Sequence, residues 1–296
     1  MDWLIEPLSQ PFMQRVLLAG VLAVLTTSLI GTWVVLRGLT FMGDALAHGV
    51  IPGIALAFAL GFSLTLGAVG SAILMTAGIG LVHRKAKLRE DAGIGLLFVG
   101  MLALGVVILS RLPNFSSSVS TILFGDALGV TWGDVQVQAV AAAVTLVLVA
   151  VFYRPFMVLS FNEQKAELLG LRPGLSHILM LGLLTLAIIS AFQTVGTLLV
   201  FALIVAPPAA ASLVARRVPT MMLTATLLGS LSILLGLLVS WHANTAAGAT
   251  MAGMSVLLFF VILALRAPFR GRADGHRGLP RGRPETDRER DARRLR

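Results

Sequence analysis

The sequence predicts an all-α, polytopic transmembrane helix bundle of about eight to nine spans, with room for re-entrant segments. Three observations predict it. Hydrophobic residues make up 57% of the 296-residue chain, charged residues 12%, and mean hydropathy is +0.91, more apolar surface than one soluble core could hide. Apolar runs close to the roughly 20 residues that a bilayer core demands recur along the chain. Between them lie short loops rich in Arg and Lys, which the positive-inside rule places in the cytoplasm. Cysteine is absent, which excludes disulfides, thiolate ligands and cysteine catalysis.

Met1 to Pro11 is short and weakly amphipathic, with Trp3 suited to an interface and no basic start or cleavage site of a secretory signal. The first span is expected over Met13 to Leu36, closed by Arg37 and Gly38. A second ends near Gly61, and a third covers Ser63 to Val82. His83 to Asp91 is the most basic internal loop and fixes the frame as cytoplasmic. Ala92 to Leu109 crosses outward. Pro113 to Asp134 forms an outer segment whose Ile122-Leu123-Phe124 suits a short surface or re-entrant helix, and Val135 to Tyr153 returns to Arg154, Lys165 and Arg172. Ile178 to Thr194 and Val195 to Val214 form a pair, the second expected to break at Pro207-Pro208. Met221 to Trp241 and Ala247 to Leu265 complete about nine crossings of an inner-membrane, multi-pass chain with its C-terminus inside.

Small residues four apart, such as Gly67 with Ser71 and Ser232 with Gly236, permit close helix approach within the spans. The organisation is therefore a membrane domain over 1–266, with a cytoplasmic loop at 154–177, and an Arg-rich tail over 267–296. Eleven arginines against five acids from Arg266 onward carry +6 of the formal +9, so the basic balance is no nucleic-acid signal. With almost no large apolar residues the tail is expected to be disordered in isolation and to associate with membrane lipid.

One stretch sets an acid and an imidazole inside apolar sequence: Phe41-Met42-Gly43-Asp44-Ala45-Leu46-Ala47-His48-Gly49-Val50-Ile51-Pro52-Gly53. On a helix, Asp44 and His48 share one face and can converge on a divalent cation or a shared proton. An ionisable group at membrane depth costs roughly 2.5–3.5 kcal/mol on insertion scales, so it implies a partner or a task. The structural alternative is that Asp44 N-caps the following helix and His48 fills a packing slot. No phosphate loop ending in Gly-Lys-Ser/Thr, no His-Glu-x-x-His pair and no Gly-x-Ser-x-Gly elbow occurs, which argues against an enzyme and for a passage. In the loop Leu159 to Leu171, Asn162 can N-cap a short helix, Glu163 and Glu167 add charge, Ala166 and Leu169 share an apolar face, and Gly170 can close it in a left-handed cap. Such a helix serves as a knob for a soluble partner, or lies on lipid.

Three stretches in order resemble the membrane permeases of ABC-type importers for zinc, manganese and chelated iron. They are Gly43-Asp44-Ala45-Leu46-Ala47-His48 with Pro52-Gly53; the loop Ser160 to Gly170, with Asn162 at a position usually Asp; and Val195 to Val200 through Ala206-Pro207-Pro208-Ala209-Ala210-Ala211. The resemblance covers about Gln14 to Arg266. It implies a homodimeric permease, a separate ABC ATPase subunit docking on Asn162 to Gly170, and an extracytoplasmic metal-binding protein. It also implies Asp44 and His48 as candidates for a metal-contacting or gating site in the passage. Trp241-His242-Ala243-Asn244 stands where the family often carries Tyr-Tyr-x-Asp, so His242 is a substitute candidate at the outer mouth. No cofactor is expected to stay bound, the transported zinc or manganese being cargo. Zinc leads on the imidazoles of His48 and His242, with manganese close behind. An ion-gradient-coupled carrier, with Asp44 and His48 relaying protons, and a non-transporting membrane anchor are the alternatives.

Overall fold

The structure, a computed structural model, describes residues 6–7, 9–86, 90–111, 125, 129–161, 168–171 and 173–274, and these contain helices and no strand. In chain order the helices are α1 (Pro11–Leu36), α2 (Thr40–Gly49), α3 (Ile51–Leu60), α4 (Leu64–Ala86), α5 (Glu90–Leu109), α6 (Trp132–Val151), α7 (Tyr153–Phe161), α8 (Pro173–Val214), α9 (Val218–Ala243) and α10 (Ala247–Asp274). Among the described residues, eight segments are long and apolar enough to cross a membrane, α2 and α3 together making one of them.

Helix α1 is the axis of the bundle. Its most apolar window is 72% buried against 22% for that of α10, because α6, α8 and α9 all pack on α1 while α10 lies at the periphery. Small residues let the helices close: an added Cβ at Gly53 or Gly67 would collide with the other's carbonyl, and one at Gly236 would meet the backbone of Met251. The expected small-residue contacts at Gly67 and Gly236 are therefore real close approaches between helices.

Cross-chain contacts fix which helix ends lie together. At the Arg37 end of α1, Trp33 packs edge-on to Tyr153 with centroids 5.6 Å apart, and Arg37 Nη1 lies 3.0 Å from His177 Nδ1. Val35 and Leu36 pack against the cluster of Ala211, Met221 and Ala225. Phe41, just beyond Arg37, meets Phe98 of α5 at 6.1 Å. Arg266 Nη2 donates to the Val214 carbonyl at 3.4 Å. The opposite end is marked by Phe12 against Trp241 at 6.0 Å. Both ends of α8 thus lie at the Arg37 end, and the chain reverses inside it. Gly196, at φ 76° and ψ 159°, is the non-helical residue at that reversal. Only glycine occupies this region readily.

The reversal falls beside the boundary expected between Thr194 and Val195, whereas the further break expected at Pro207-Pro208 is absent. Both prolines sit inside a continuous helical stretch, Leu199–Val214. Pro208 cannot donate to the Ile204 carbonyl, and that oxygen instead lies against the bare Cα of Gly31. At 1.5 Å per residue this arm is about 24 Å long, shorter than a full bilayer core. The loop helix α7 begins where the sequence reading left the fifth span. The last helix continues past Arg266 to Asp274. The outer segment around Ile122-Leu123-Phe124, the loop residues 162–167 and the tail after Asp274 lie outside the described residues.

Candidate functional site

The second span is broken where its polar residues sit. Pro52 has no N–H for the His48 carbonyl and its ring crowds that turn, so α2 ends at Gly49 and α3 begins at Ile51 with Pro52 in its first turn. Next to it, the carbonyl of Gly49, the last residue of α2, accepts from Ser71 Oγ of α4 at 2.7 Å. The break thus lies near the middle of the Thr40–Leu60 span and is pinned to a neighbouring helix.

Asp44 stands inside α2, whose N-cap is Leu39, so it does not cap the helix. Its carboxylate meets the imidazole one turn later. His48 Nδ1 lies 3.2 Å from Asp44 Oδ1 and 3.1 Å from the Asp44 carbonyl, a forked donation that fixes the ring. The ring stands edge-on to Phe98, centroids 5.6 Å apart at 85°. Side-chain exposure is 24% for Asp44 and 19% for His48, so the pair is neither sealed nor free in solvent. With Nδ1 turned to the carboxylate, the Nε2 lone pair is the ring's outward donor, the arrangement by which carboxylates orient metal-binding histidines. The remaining carboxylate oxygen adds a hard donor beside it.

The structure brings Asp44 and His48 together and leaves His242 elsewhere. His242 is exposed near the Phe12–Trp241 end, its Nδ1 2.9 Å from the Leu238 carbonyl. Among the described residues, no three His, Asp or Glu side chains gather as a metal site. Of the loop positions, Asn162, Glu163, Ala166 and Glu167 lie outside the described residues. Gly170 has φ 68°, the left-handed conformation expected of it. Leu168 and Leu169 beside it are 87% and 65% exposed.

Two features escaped the sequence reading. Arg37 and His177 meet across the bundle, and nothing local to either signals the other. Gln138 and Thr145 are fully buried on one face of α6, with no partner among the described residues for the Gln138 amide atoms or the Thr145 hydroxyl. Their seven-residue spacing, which keeps one helix face, was the available signal.

Residues 9–266 match the ABC 3 transport family. The chain belongs to that family. It is 36% identical over 260 residues to the manganese transport system membrane protein MntC of Listeria innocua, covering 88% of this chain and 92% of that one. It is 35% identical over 258 residues to the chelated iron transport system membrane protein YfeD of Yersinia pestis, covering 87% and 86%. The solved structure of PsaBC from Streptococcus pneumoniae in complex with Fab superposes with a TM-score of 0.80 at 30% identity, covering 88% of this chain and 94% of that one. The chain is thus a multi-pass permease subunit of an ABC metal importer, and ATP hydrolysis resides on a separate subunit. The gradient-coupled carrier and the membrane anchor are thereby displaced.

Proposed function

We propose that this permease carries a divalent metal ion inward across the membrane, that manganese leads zinc as cargo, and that two copies form the passage. The observation that carries the reading is the Asp44–His48 pair, 3.2 Å apart at a mid-span helix break. One chain supplies a carboxylate and an imidazole, two donors where zinc takes four ligands and manganese more. A second copy facing the first doubles the set to two carboxylates and two imidazoles, and the pair's partial exposure leaves it open to such a neighbour. The zinc-first expectation leaned on His242. With His242 apart from the pair, the donors are half oxygen, and the relatives named above carry manganese or chelated iron in their names.

The exposed Leu168-Leu169-Gly170 turn supports docking of the ATPase at the Arg37 end of the bundle, which the positive-inside rule assigns to the cytoplasm together with Arg216, Arg217 and the C-terminus. An extracytoplasmic metal-binding protein then delivers the ion at the Phe12–Trp241 end. The test is uptake of radiolabelled manganese and zinc in proteoliposomes holding the permease, its ATPase and the delivery protein. Manganese should accumulate only with ATP and in preference to zinc, and the detergent-purified permease should bind one ion per two chains. Uptake without ATP, zinc preference, or one ion per chain would each overturn the corresponding part.

A further inference from the structure

We propose that Arg37 is a positioning residue that transmits movement of the ATPase-facing loop to the helix bearing Asp44 and His48. The inference rests on the reading of that loop as the docking segment and names the contact through which docking reaches the ion site.

The path is short and each step is a contact. Ser176 Oγ, in the first turn of α8, donates to the Leu171 carbonyl at 3.4 Å, tying the end of the loop to the helix that follows it. One residue on, His177 Nδ1 lies 3.0 Å from Arg37 Nη1, and the same guanidinium nitrogen reaches Met180 Sδ at 3.9 Å. His177 and Met180 are three apart, so Arg37 grips one face of α8 over a full turn. A guanidinium only donates, so His177 Nδ1 accepts, with the imidazole neutral and its proton on Nε2.

On the other side of the contact the backbone is stiff. Arg37 is the C-cap of α1, and the turn after it is a Schellman motif: Leu39 N–H donates to the Val34 carbonyl at 2.9 Å and Gly38 N–H to that of Val35 at 3.1 Å, with Gly38 at φ 69°. Helix α2 starts at Thr40, and Asp44 follows one turn later. A shift of the start of α8 therefore pulls on Arg37, and the closed turn passes it to α2. At its far end α2 can yield, because the Pro52 break separates it from α3. The Arg37 contact joins segments 140 residues apart in sequence, so the chain's connectivity alone does not hold the loop and the site together.

The test compares Arg37→Met, which keeps an unbranched apolar stem but no donor, His177→Leu, their double variant, and His177→Gln, which keeps an acceptor. Each is assembled with the ATPase in proteoliposomes. Three quantities are read: ATPase co-purification, ATP hydrolysis, and manganese taken up per ATP hydrolysed. Co-purification and hydrolysis should persist in Arg37→Met and His177→Leu, while uptake per ATP falls roughly tenfold, the scale of one charge-assisted hydrogen bond. The double variant should lose no more than the worse single variant, and His177→Gln should retain most of the yield. Parent-level uptake per ATP in Arg37→Met, multiplying losses in the double variant, or loss of the ATPase itself would overturn the proposal, the last by making Arg37 part of docking. If Arg37→Met does not fold, His177→Leu against His177→Gln decides alone. Glu163→Ala with Gly170→Val, run in parallel, tests docking independently: if it still holds the ATPase, the docking site lies elsewhere, while the Arg37 result stands or falls on its own ratio.

Discussion

A carboxylate inside a membrane helix has two ways to persist, a structural partner or a task, and the geometry of Asp44 serves both. Its Oδ1 is engaged by His48, yet the pair remains partly exposed beside a broken helix, where a purely structural pair would be sealed. Asp44→Asn keeps the shape and removes the charge, and His48→Ala removes the imidazole. Each should reduce ATP-driven uptake to background while leaving the protein monodisperse and bound to its ATPase, and wild-type rates in both would return the pair to a packing role. Gln138 poses the converse case. Its amide is fully buried on α6, and neither its oxygen nor its nitrogen has a partner among the described residues. An unmade pairing of this kind costs about 1–3 kcal/mol. Gln138→Leu, close in volume, should therefore raise the thermal unfolding midpoint in detergent, and a lowered midpoint would show that the amide is paired in the assembled transporter.

At the scale of elements, the spans were legible and the breaks only in part. Ala92 to Leu109 emerges with the boundaries its hydropathy gave, because a run of apolar residues between charged loops has one stable solution in lipid. The two spans within α8 were divided between Thr194 and Val195, beside the reversal at Gly196, but the further break expected at Pro207-Pro208 is absent. Proline advertises a missing donor, but the Ile204 oxygen it freed found room against Gly31, a residue far away in sequence. The span boundary does not report the positive φ of Gly196, a conformation that glycine adopts at little steric cost. Helix α7 was missed for a similar reason: Tyr153–Phe161 follows α6 almost without interruption and carries no side-chain cap signal of its own. The end of the loop was readable, because Gly170 has one conformational advantage and uses it. Placing a β-branched residue at that left-handed position costs roughly 1–2 kcal/mol, and Glu163→Ala removes charge favourable at a helix start. The double variant Glu163→Ala with Gly170→Val should co-purify with markedly less ATPase at equal expression, and unchanged recovery would mean that the loop is not the docking point.

Across the whole molecule, charge and connectivity agree. The chain ends adjoining its described basic segments lie together at the Arg37 end, and the return of the Leu199–Val214 arm explains how eight long spans and one short one leave the start of α1 at the opposite end. The end of α10 completes this pattern, because Arg266 donates to the Val214 carbonyl and the helix then continues to Asp274, taking Arg270 and Arg272 with it. Beyond lie eight arginines together with four acids, Gly and Pro, a composition that cannot offset its ordering entropy by burying surface. Each basic residue close to an anionic leaflet contributes on the order of 1 kcal/mol, screened by salt. His276 is the tail's single imidazole, and arginine does not ligate cations, so the tail lacks the donors for a metal site. Truncation after Asp274 should leave the manganese-to-zinc ratio of uptake unchanged. It should also lower the anionic lipid retained per protein in detergent, with the difference between full-length and truncated chains vanishing at high salt. A truncated permease with altered metal preference would place the tail in the transport pathway, and equal lipid retention at low salt would remove its role at the membrane surface.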